Sequence, residues 1–251
     1  MNIVKATKEQ IFHLYRQYIE ELVVGIDRYQ EQWILRSDSY LIQDQGIKCI
    51  YSIDSEGWLT GLYVLPDFSS EYNNIFQYVI SLPEVKNIVY STMDTNFELA
   101  ISKENLNEIK QTYDFILSKK IKTDFMMSQA TEKDYYEIQL HFGDFLEYNN
   151  TNIYTQLLYI HRNSSNEIVC LGYYEMFTLV NKAGLAMIVK ESERRKGYGT
   201  KTLRFLSSLL QQKGINIHAR CWYENGNSKS TIIKAGFELT NLVKRIKDIK
   251  R

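Results

Sequence analysis

The segment Val189-Lys190-Glu191-Ser192-Glu193-Arg194-Arg195-Lys196-Gly197-Tyr198-Gly199-Thr200 concentrates the residue types that hold anions. A strand-like apolar run ends there, a charged loop follows, and two glycines open an amphipathic helix. The first turn of a helix leaves backbone N–H groups unpaired, its dipole favours negative charge, and glycines let the main chain approach a phosphate closely. Arg194, Arg195, Lys196, Lys201 and Arg204 place five cations within eleven residues at that end. The pattern reads as a cradle for a phosphorylated ligand. The plainer alternative is a tight turn with solvated cations; the strand before and the helix after weigh against it.

Spacing excludes two phosphate motifs. A P-loop needs Gly-Lys-Ser/Thr, and Gly199-Thr200-Lys201 has the wrong order. A dinucleotide fingerprint needs a third glycine where Thr202 stands. Glu224 could imitate its ribose-binding acid, but the chain beyond it is too short to complete a doubly wound sheet.

Acid–base candidates are fewer. Glu175 lies in Gly172-Tyr173-Tyr174-Glu175-Met176-Phe177, a carboxylate in an otherwise apolar strand. Burial there would raise its pKa toward a general base's range; a solvent-facing strand residue is the equal alternative. Tyr223 and Glu224 follow the next strand, with Glu224 equally readable as a loop charge. His218, beside Ala219, reads as a hydrogen-bonded core residue. His13, His141 and His161 lack ligand spacing, so no metal site is expected. Cys221 has no His/acid partner pattern and reads as a buried thiol.

The composition bounds the rest. The chain has 251 residues, 44% of them hydrophobic, with 30 Lys+Arg against 30 Asp+Glu. That excludes wholesale disorder and argues against a nucleic-acid partner, which needs a basic excess. No apolar run is long enough for a membrane helix, so no membrane partner is expected. The first residues show no signal-peptide pattern, and three scattered cysteines fit a reducing compartment; together they predict a cytoplasmic protein. The neutrality hides a split: residues 1–122 carry 12 Lys+Arg and 17 Asp+Glu, net −5, and residues 123–251 carry 18 and 13, net +5.

Periodicity supplies the elements that position these residues. Thr7 caps a helix with apolar residues from Ile11 to Leu22. Strands are predicted at Ser39–Ile42, Ile47–Ile53 and Trp58–Leu65, a helix at Asn74–Ser81, and a strand at Asn87–Thr92. Residues 102–121 read as a connecting helix, partially capped by Ser102 and Asn105. Asp124–Met127 reads as a short strand, and Thr131 caps a helix carrying Tyr135, Ile138, Leu140 and His141. Strands follow at Gln156–Ile160, Ile168–Phe177 and Gly184–Val189. After the glycine bend come a helix with Leu203, Leu206, Leu209 and Leu210 inward, a strand at Ile215–Trp222, a short helix around Ser228–Lys234, and a last strand from Phe237. Both halves read strand, helix, three strands, helix, strand. The run Leu62-Tyr63-Val64-Leu65-Pro66 rhymes with Met187-Ile188-Val189-Lys190-Glu191. An internal duplication with a boundary near residue 122 follows.

The pattern Arg194-x-x-Gly197-x-Gly199 after a strand resembles the acyl-CoA pyrophosphate loop of the GCN5-related N-acetyltransferases, the GNAT superfamily. Asn225-x-x-Ser228 leading to Lys234-x-Gly236-Phe237 is similar to that family's later segment, and the resemblance covers residues 123–251. It implies an α/β (α+β) fold of two GNAT-like domains, each a mixed, mostly antiparallel sheet flanked by helices. Residues 123–251 would be the acetyl-CoA-binding domain. Residues 1–122 would be a degenerate copy, in which Asp67-Phe68-Ser69-Ser70 replaces the glycine pair.

The resemblance further implies that Met187, Ile188 and Val189 end a strand that splays from the next and bonds the pantetheine arm. The backbone amides of Arg195, Lys196, Gly197, Tyr198, Gly199 and Thr200 would wrap the pyrophosphate. Asn225 would bond the pantetheine region, with Ser228 as the small residue behind it. An amide near Val189 would stabilise the developing oxyanion, and an amine would attack directly in a ternary complex. The acceptor would be a small-molecule or peptide amine, held between the halves where acidic residues of the first attract it; homodimerisation stays open. One departure stands out: Ile232 occupies the position where the family often has a thiolate-protonating Tyr. That motivates the rival reading, a non-catalytic acyl-CoA-binding regulatory or interaction module.

Overall fold

The computed structural model describes residues 2–22, 25–104, 106–148 and 157–249. In chain order the elements are β1 (Asn2–Lys5), α1 (Lys8–Glu21), α2 (Arg28–Arg36), β2 (Asp38–Gln43), β3 (Ile47–Ile53), β4 (Trp58–Val64), α3 (Tyr72–Ile80), β5 (Asn87–Ser91), α4 (Thr95–Ile101) and β6 (Glu108–Ile116). Then come β7 (Ser128–Gln129), α5 (Tyr135–Tyr148), β8 (Leu158–Arg162), β9 (Ile168–Met176), β10 (Lys182–Val189), α6 (Tyr198–Gln212), β11 (Asn216–Trp222), α7 (Gly226–Ala235) and β12 (Glu238–Ile246). Short 3₁₀ turns follow β4 at Pro66–Glu71 and β10 at Glu191–Glu193. Among the described residues no helix is long and apolar enough to cross a membrane.

The chain forms two compact units. The first contains residues 1–114, 178–180 and 240–251; the second contains 115–177 and 181–239. This differs from a single cut at residue 122. The reason is hydrogen bonding: β12 pairs antiparallel with β5, Val243 opposite Ser91 and Ile246 opposite Ile88, so the chain's end completes the first unit's sheet.

In the first unit the strand order is β1-β2-β3-β4-β5-β12, antiparallel except for the parallel pair β4–β5. Thr7 starts α1 through a capping box with Gln10, each side chain bonding the other's backbone N–H. Leu14, Tyr15, Tyr18 and Ile19 pack one sheet face with Leu41, Ile50 and Tyr63. On the other face Ile75, Phe76 and Val79 of α3 and Phe97 of α4 pack with Leu62, Val64, Ile88 and Tyr90. Burying a side chain of this size contributes about 1.5–3 kcal/mol. Strand β12 is pinned by charge as well: Lys244 bonds Glu98 and Glu108, and the Arg245 guanidinium lies 5.0 and 5.1 Å from the ring centres of Trp33 and Trp58.

In the second unit the order is β11-β10-β9-β8-β7, with β10–β11 the parallel pair. Ile138 and Phe142 of α5 pack with Leu158, Ile160, Leu171 and Tyr173. Thr131 starts the α5 segment by a capping box with Asp134. Arg162 fastens it, bonding Asp134 and Glu137 at 2.7 Å each.

Several predicted elements need correction. Residues 108–116 are a strand, not part of a helix. Asp124–Met127 is not a strand, and pairing begins only at Ser128 with Ile160. Leu140, on the helix that Thr131 starts, is exposed. Helices α2 and α4 were not predicted. Asn105, the suggested partial cap, and Gln156, the suggested strand start, lie outside the described residues.

Candidate cofactor and acyl-transfer site

Each unit contains one place where its parallel strands part. In the second, β10 follows β9 in register from Ala183–Met176 to Val189–Cys170, but it follows β11 only as far as Leu185–Ala219. Ala186 to Val189 therefore turn one backbone edge to a strand that has moved away, and these residues are only half-buried. Unpaired backbone groups of a strand are ready partners for an extended ligand arm.

The fork leads directly into the glycine bend. Gly197 has φ +85°, and a Cβ placed on it would meet nothing within 4 Å; the turn needs its left-handed backbone, and the space beside it is open. Arg195 also adopts a positive φ, 64°. Gly199 serves differently: a Cβ there would lie 3.1 Å from Met187 Cε and Sδ and from Thr231 Cγ2. Its bareness lets α6 start against β10 and α7. The first helical amide of this region with a backbone acceptor is Lys201, which donates to Gly197 O. The amides of Arg195 to Thr200 have none among the described residues, so the fit to a diphosphate is good.

Two of the cations are partly neutralised on the spot. Arg194 lies 3.7 Å from Glu191 and Lys196 lies 3.0 Å from Glu193. These exposed pairs are weak and exchangeable. Arg195 and Arg204, both exposed, have no carboxylate partner among the described residues.

Across the fork, Asn225 Oδ1 accepts the Ser228 amide at 2.9 Å and caps α7. That oxygen is committed to the helix, which leaves the side-chain amide nitrogen for any ligand. Ser228 contributes its backbone to that cap. Tyr223 is half-buried on the far arm and Glu224 is exposed. Glu175 stands opposite Gly184, which in turn pairs with His218. The three form a row across the sheet, one residue short of the fork, with a glycine in the middle position. Glu175 is half-buried, less than a wholly apolar strand would make it. His218 is buried, and burial first, then Lys182 and Arg220, holds its pKa well below the usual imidazole value, so it is neutral at pH 7. Cys221 is buried, and Ile232 is 3% exposed, a core residue with no proton to give.

The first unit has the same fork with a different interior. β4 follows β3 to Val64–Cys49 but pairs with β5 only at Trp58–Asn87 and Leu59–Ile88. Here every residue of β4 is buried. Tyr18 bridges the two arms: its ring lies 5.5 Å from that of Tyr63 on β4, and its hydroxyl donates to Asp94 just beyond β5 at 2.9 Å. Pro66–Glu71 replaces the glycine bend, and Lys48 pairs with Glu71. Asp94 caps α4 through the Phe97 amide, as Asn225 caps α7. Sequence reading missed the Tyr18–Asp94 link, which joins residues 76 apart and has no local signal.

Burial raises the Asp94 pKa against the opposing bonds from Phe97, Tyr18 and Asn96. A raised folded-state value means that its stabilising contribution is complete below the unfolded value, about 3.9, and is lost as pH rises through the folded one. Asp94→Asn keeps an acceptor for Phe97 and offers an N–H to the Tyr18 hydroxyl without a charge. Its stability relative to wild type should therefore improve between about pH 4 and pH 7. Denaturant midpoints across that range test this; a difference independent of pH contradicts it.

The comparisons with known proteins address both units. Residues 7–118 match the family model described as the acetyltransferase (GNAT) domain. That match covers just under half of the chain. The GNAT fold extends over the rest. A GNAT-family acetyltransferase from Colwellia psychrerythraea superimposes with a TM-score of 0.81 at 18% identity, over 99% of this chain and all of that one. A tandem GNAT protein from the clavulanic acid biosynthesis pathway gives 0.61 at 10% identity, over 100% and 99%. A GCN5-related N-acetyltransferase from Sphaerobacter thermophilus gives 0.58 at 11%, over 94% and 84%. No curated protein matches the sequence. The family match falls on the unit whose fork is filled, and the glycine bend lies in the other GNAT-like unit.

Proposed function

We propose that the protein is an N-acetyltransferase that uses acetyl-CoA, bound to the second unit alone, to acetylate a primary amine directly in a ternary complex. The observation that carries this reading is the open fork of β10 and β11 running into the Gly197–Gly199 bend. Acetyl-CoA supplies an acyl group activated as a thioester. Met187, Ile188 and Val189 would hold the pantetheine arm through their free backbone edge. The amides of Arg195 to Thr200 would hold the diphosphate, helped by Arg194, Arg195 and Lys196. Glu175, beside the fork, is the candidate to take the amine's proton; Tyr223, on the far arm, is the candidate for the departing sulfur. The acceptor would be a small-molecule or peptide amine, in the cytoplasm.

Saturating acetyl-CoA at about 100 times its Kd should stabilise the chain by about 2.7 kcal/mol, with one molecule bound per chain by calorimetry. An amine panel should then release free CoA. Two bound molecules per chain would contradict the filled first fork, and no binding at all would sink the reading. The apolar Ile232 favours a second reading, a non-catalytic acyl-CoA-binding module. It predicts the same stabilisation with no CoA release from any amine.

A further inference from the structure

A cavity of about 590 Å³ opens on α1 and is lined by Lys8, Glu9, Phe12, His13 and Arg16. That is the size of a small-molecule site. All five residues belong to the first compact unit, and none is a residue of either fork. Helical spacing explains the lining. Lys8, Phe12 and Arg16 fall at i, i+4 and i+8 on one ridge of the helix, and Glu9 and His13 form the next. The opposite face, with Leu14, Tyr15, Tyr18 and Ile19, packs on the sheet. Phe12 is half-buried against that core, while the polar side chains around it are exposed. Arg16 Nε donates to the Leu179 carbonyl oxygen at 2.9 Å. That bond holds the guanidinium in place and leaves its two terminal nitrogens without a hydrogen-bond partner among the described residues. Neither Lys8 nor Arg16 has a carboxylate partner among them.

Residues 1–122 carry a net charge of −5, so two uncommitted cations around one cavity stand out there. A guanidinium fixed through Nε presents its terminal pair of N–H groups end-on, the geometry that grips a carboxylate. Counting Lys8 and Arg16 against Glu9 leaves one positive charge, which suits a monoanion better than a polyanion. The Phe12 ring and the volume of the cavity make room for an apolar body. Lys8 Nζ lies 5.7 Å from the Phe12 ring centre, a weak contact at an exposed site that a carboxylate can displace. We infer that this cavity binds a small monocarboxylate with an apolar body. Its carboxylate rests on the terminal nitrogens of Arg16, Lys8 swings over as the second cation, and the apolar part covers Phe12. The site is independent of the acyl-CoA reading.

The test is an NMR titration of the full chain, followed at the ring protons of His13, with benzoate, benzamide and acetate as probes. Benzoate has both the charge and the apolar body, and each of the others lacks one of them. Benzoate should move the His13 signals and bind about tenfold more tightly than either, as one charge-assisted hydrogen bond is worth. Arg16→Gln should lose about tenfold in affinity for benzoate and nothing for benzamide. Lys8→Gln, at an exposed position, should lose about threefold for benzoate alone. The readout is a ratio between ligands on one variant, which partial unfolding does not mimic. If benzoate leaves the His13 signals unmoved, binds no better than benzamide or acetate, or keeps its full preference over benzamide in both variants, the inference is wrong.

Discussion

Gly199→Val is expected to weaken CoA binding by at least about 100-fold while the chain remains folded. A Cβ at this position already reaches 3.1 Å from Met187 and Thr231. Valine adds two methyl groups to that contact, on a residue whose rotamer a helix restricts. The start of α6 must then rise from β10, and the amides of Arg195 to Thr200 move with it. A hydrogen bond to a charged group contributes about 1.5–3 kcal/mol, so misplacing two of them is a loss of about 3–6 kcal/mol, or 100-fold and beyond. Gly199→Ala should cost less, about tenfold, because the thioether end of Met187 can yield. Gly46→Ala, where a Cβ meets nothing within 4 Å, should leave affinity unchanged. Calorimetric titration with CoA, alongside thermal melts of each variant, checks this. Unchanged affinity in Gly199→Val would remove α6 from the binding site.

The two forks explain why one chain can contain the same architecture twice and still be asymmetric. Both arise from a parallel strand pair that shares only a few residues of register. Whether such a fork admits a ligand depends on what enters it from the neighbouring helix. In the first unit Tyr18 spans the arms and an acid-bearing turn replaces the glycines. In the second, the strand end stays half-buried and the bend has open space at Gly197. The charge split of −5 and +5 between residues 1–122 and 123–251 has the same sense, acidic on the side of the filled fork and basic on the side of the open one.

Elements whose buried face is apolar were legible from residues alone. The capping box at Thr7, strands β2 to β4, and the glycine bend into α6 all fall where periodicity and turn chemistry put them. Elements whose buried face is polar were not. Strand β6 buries Gln111, Thr112 and Asp114, and its apolar residues fall at spacings that suit a helix. Asp114 is tolerable there because Asn241 Nδ2 donates to it and to Ser91 Oγ, partners more than a hundred residues away. Helix α2 escaped for the same reason, since it buries Gln30 and Glu31 beside Ile34. Hydrophobic periodicity cannot register a polar group whose burial is licensed by a distant partner. At the site, the fork lay one step beyond the sequence for a related reason. Where two strands stop pairing is set by the sheet, not by either strand's composition.

Glu31 offers the largest expected effect on stability. Its side chain is fully buried on α2, and both oxygens are used: Thr178 N donates to each, at 3.0 and 2.9 Å, and Leu179 N donates at 2.8 Å. These amides belong to residues 178–180, which the first compact unit includes with Glu31 itself. Arg28 is its ion-pair partner at 3.6 Å, with Nε and Nη1 buried and making no hydrogen bond among the described residues. Glu31→Ala strands two amides and removes the charge opposite the guanidinium at once. Breaking a buried pair from one side costs about 3–5 kcal/mol, a large share of the roughly 5–15 kcal/mol that holds a domain together. Glu31→Gln should cost less, because its oxygen still accepts one amide while its NH2 opposes the other. Urea unfolding followed by fluorescence should show the midpoint falling in the order wild type, Gln, Ala. An alanine variant within 1 kcal/mol of wild type, a margin typical of exposed pairs, would mean that water replaces the carboxylate and that the loop does not depend on it.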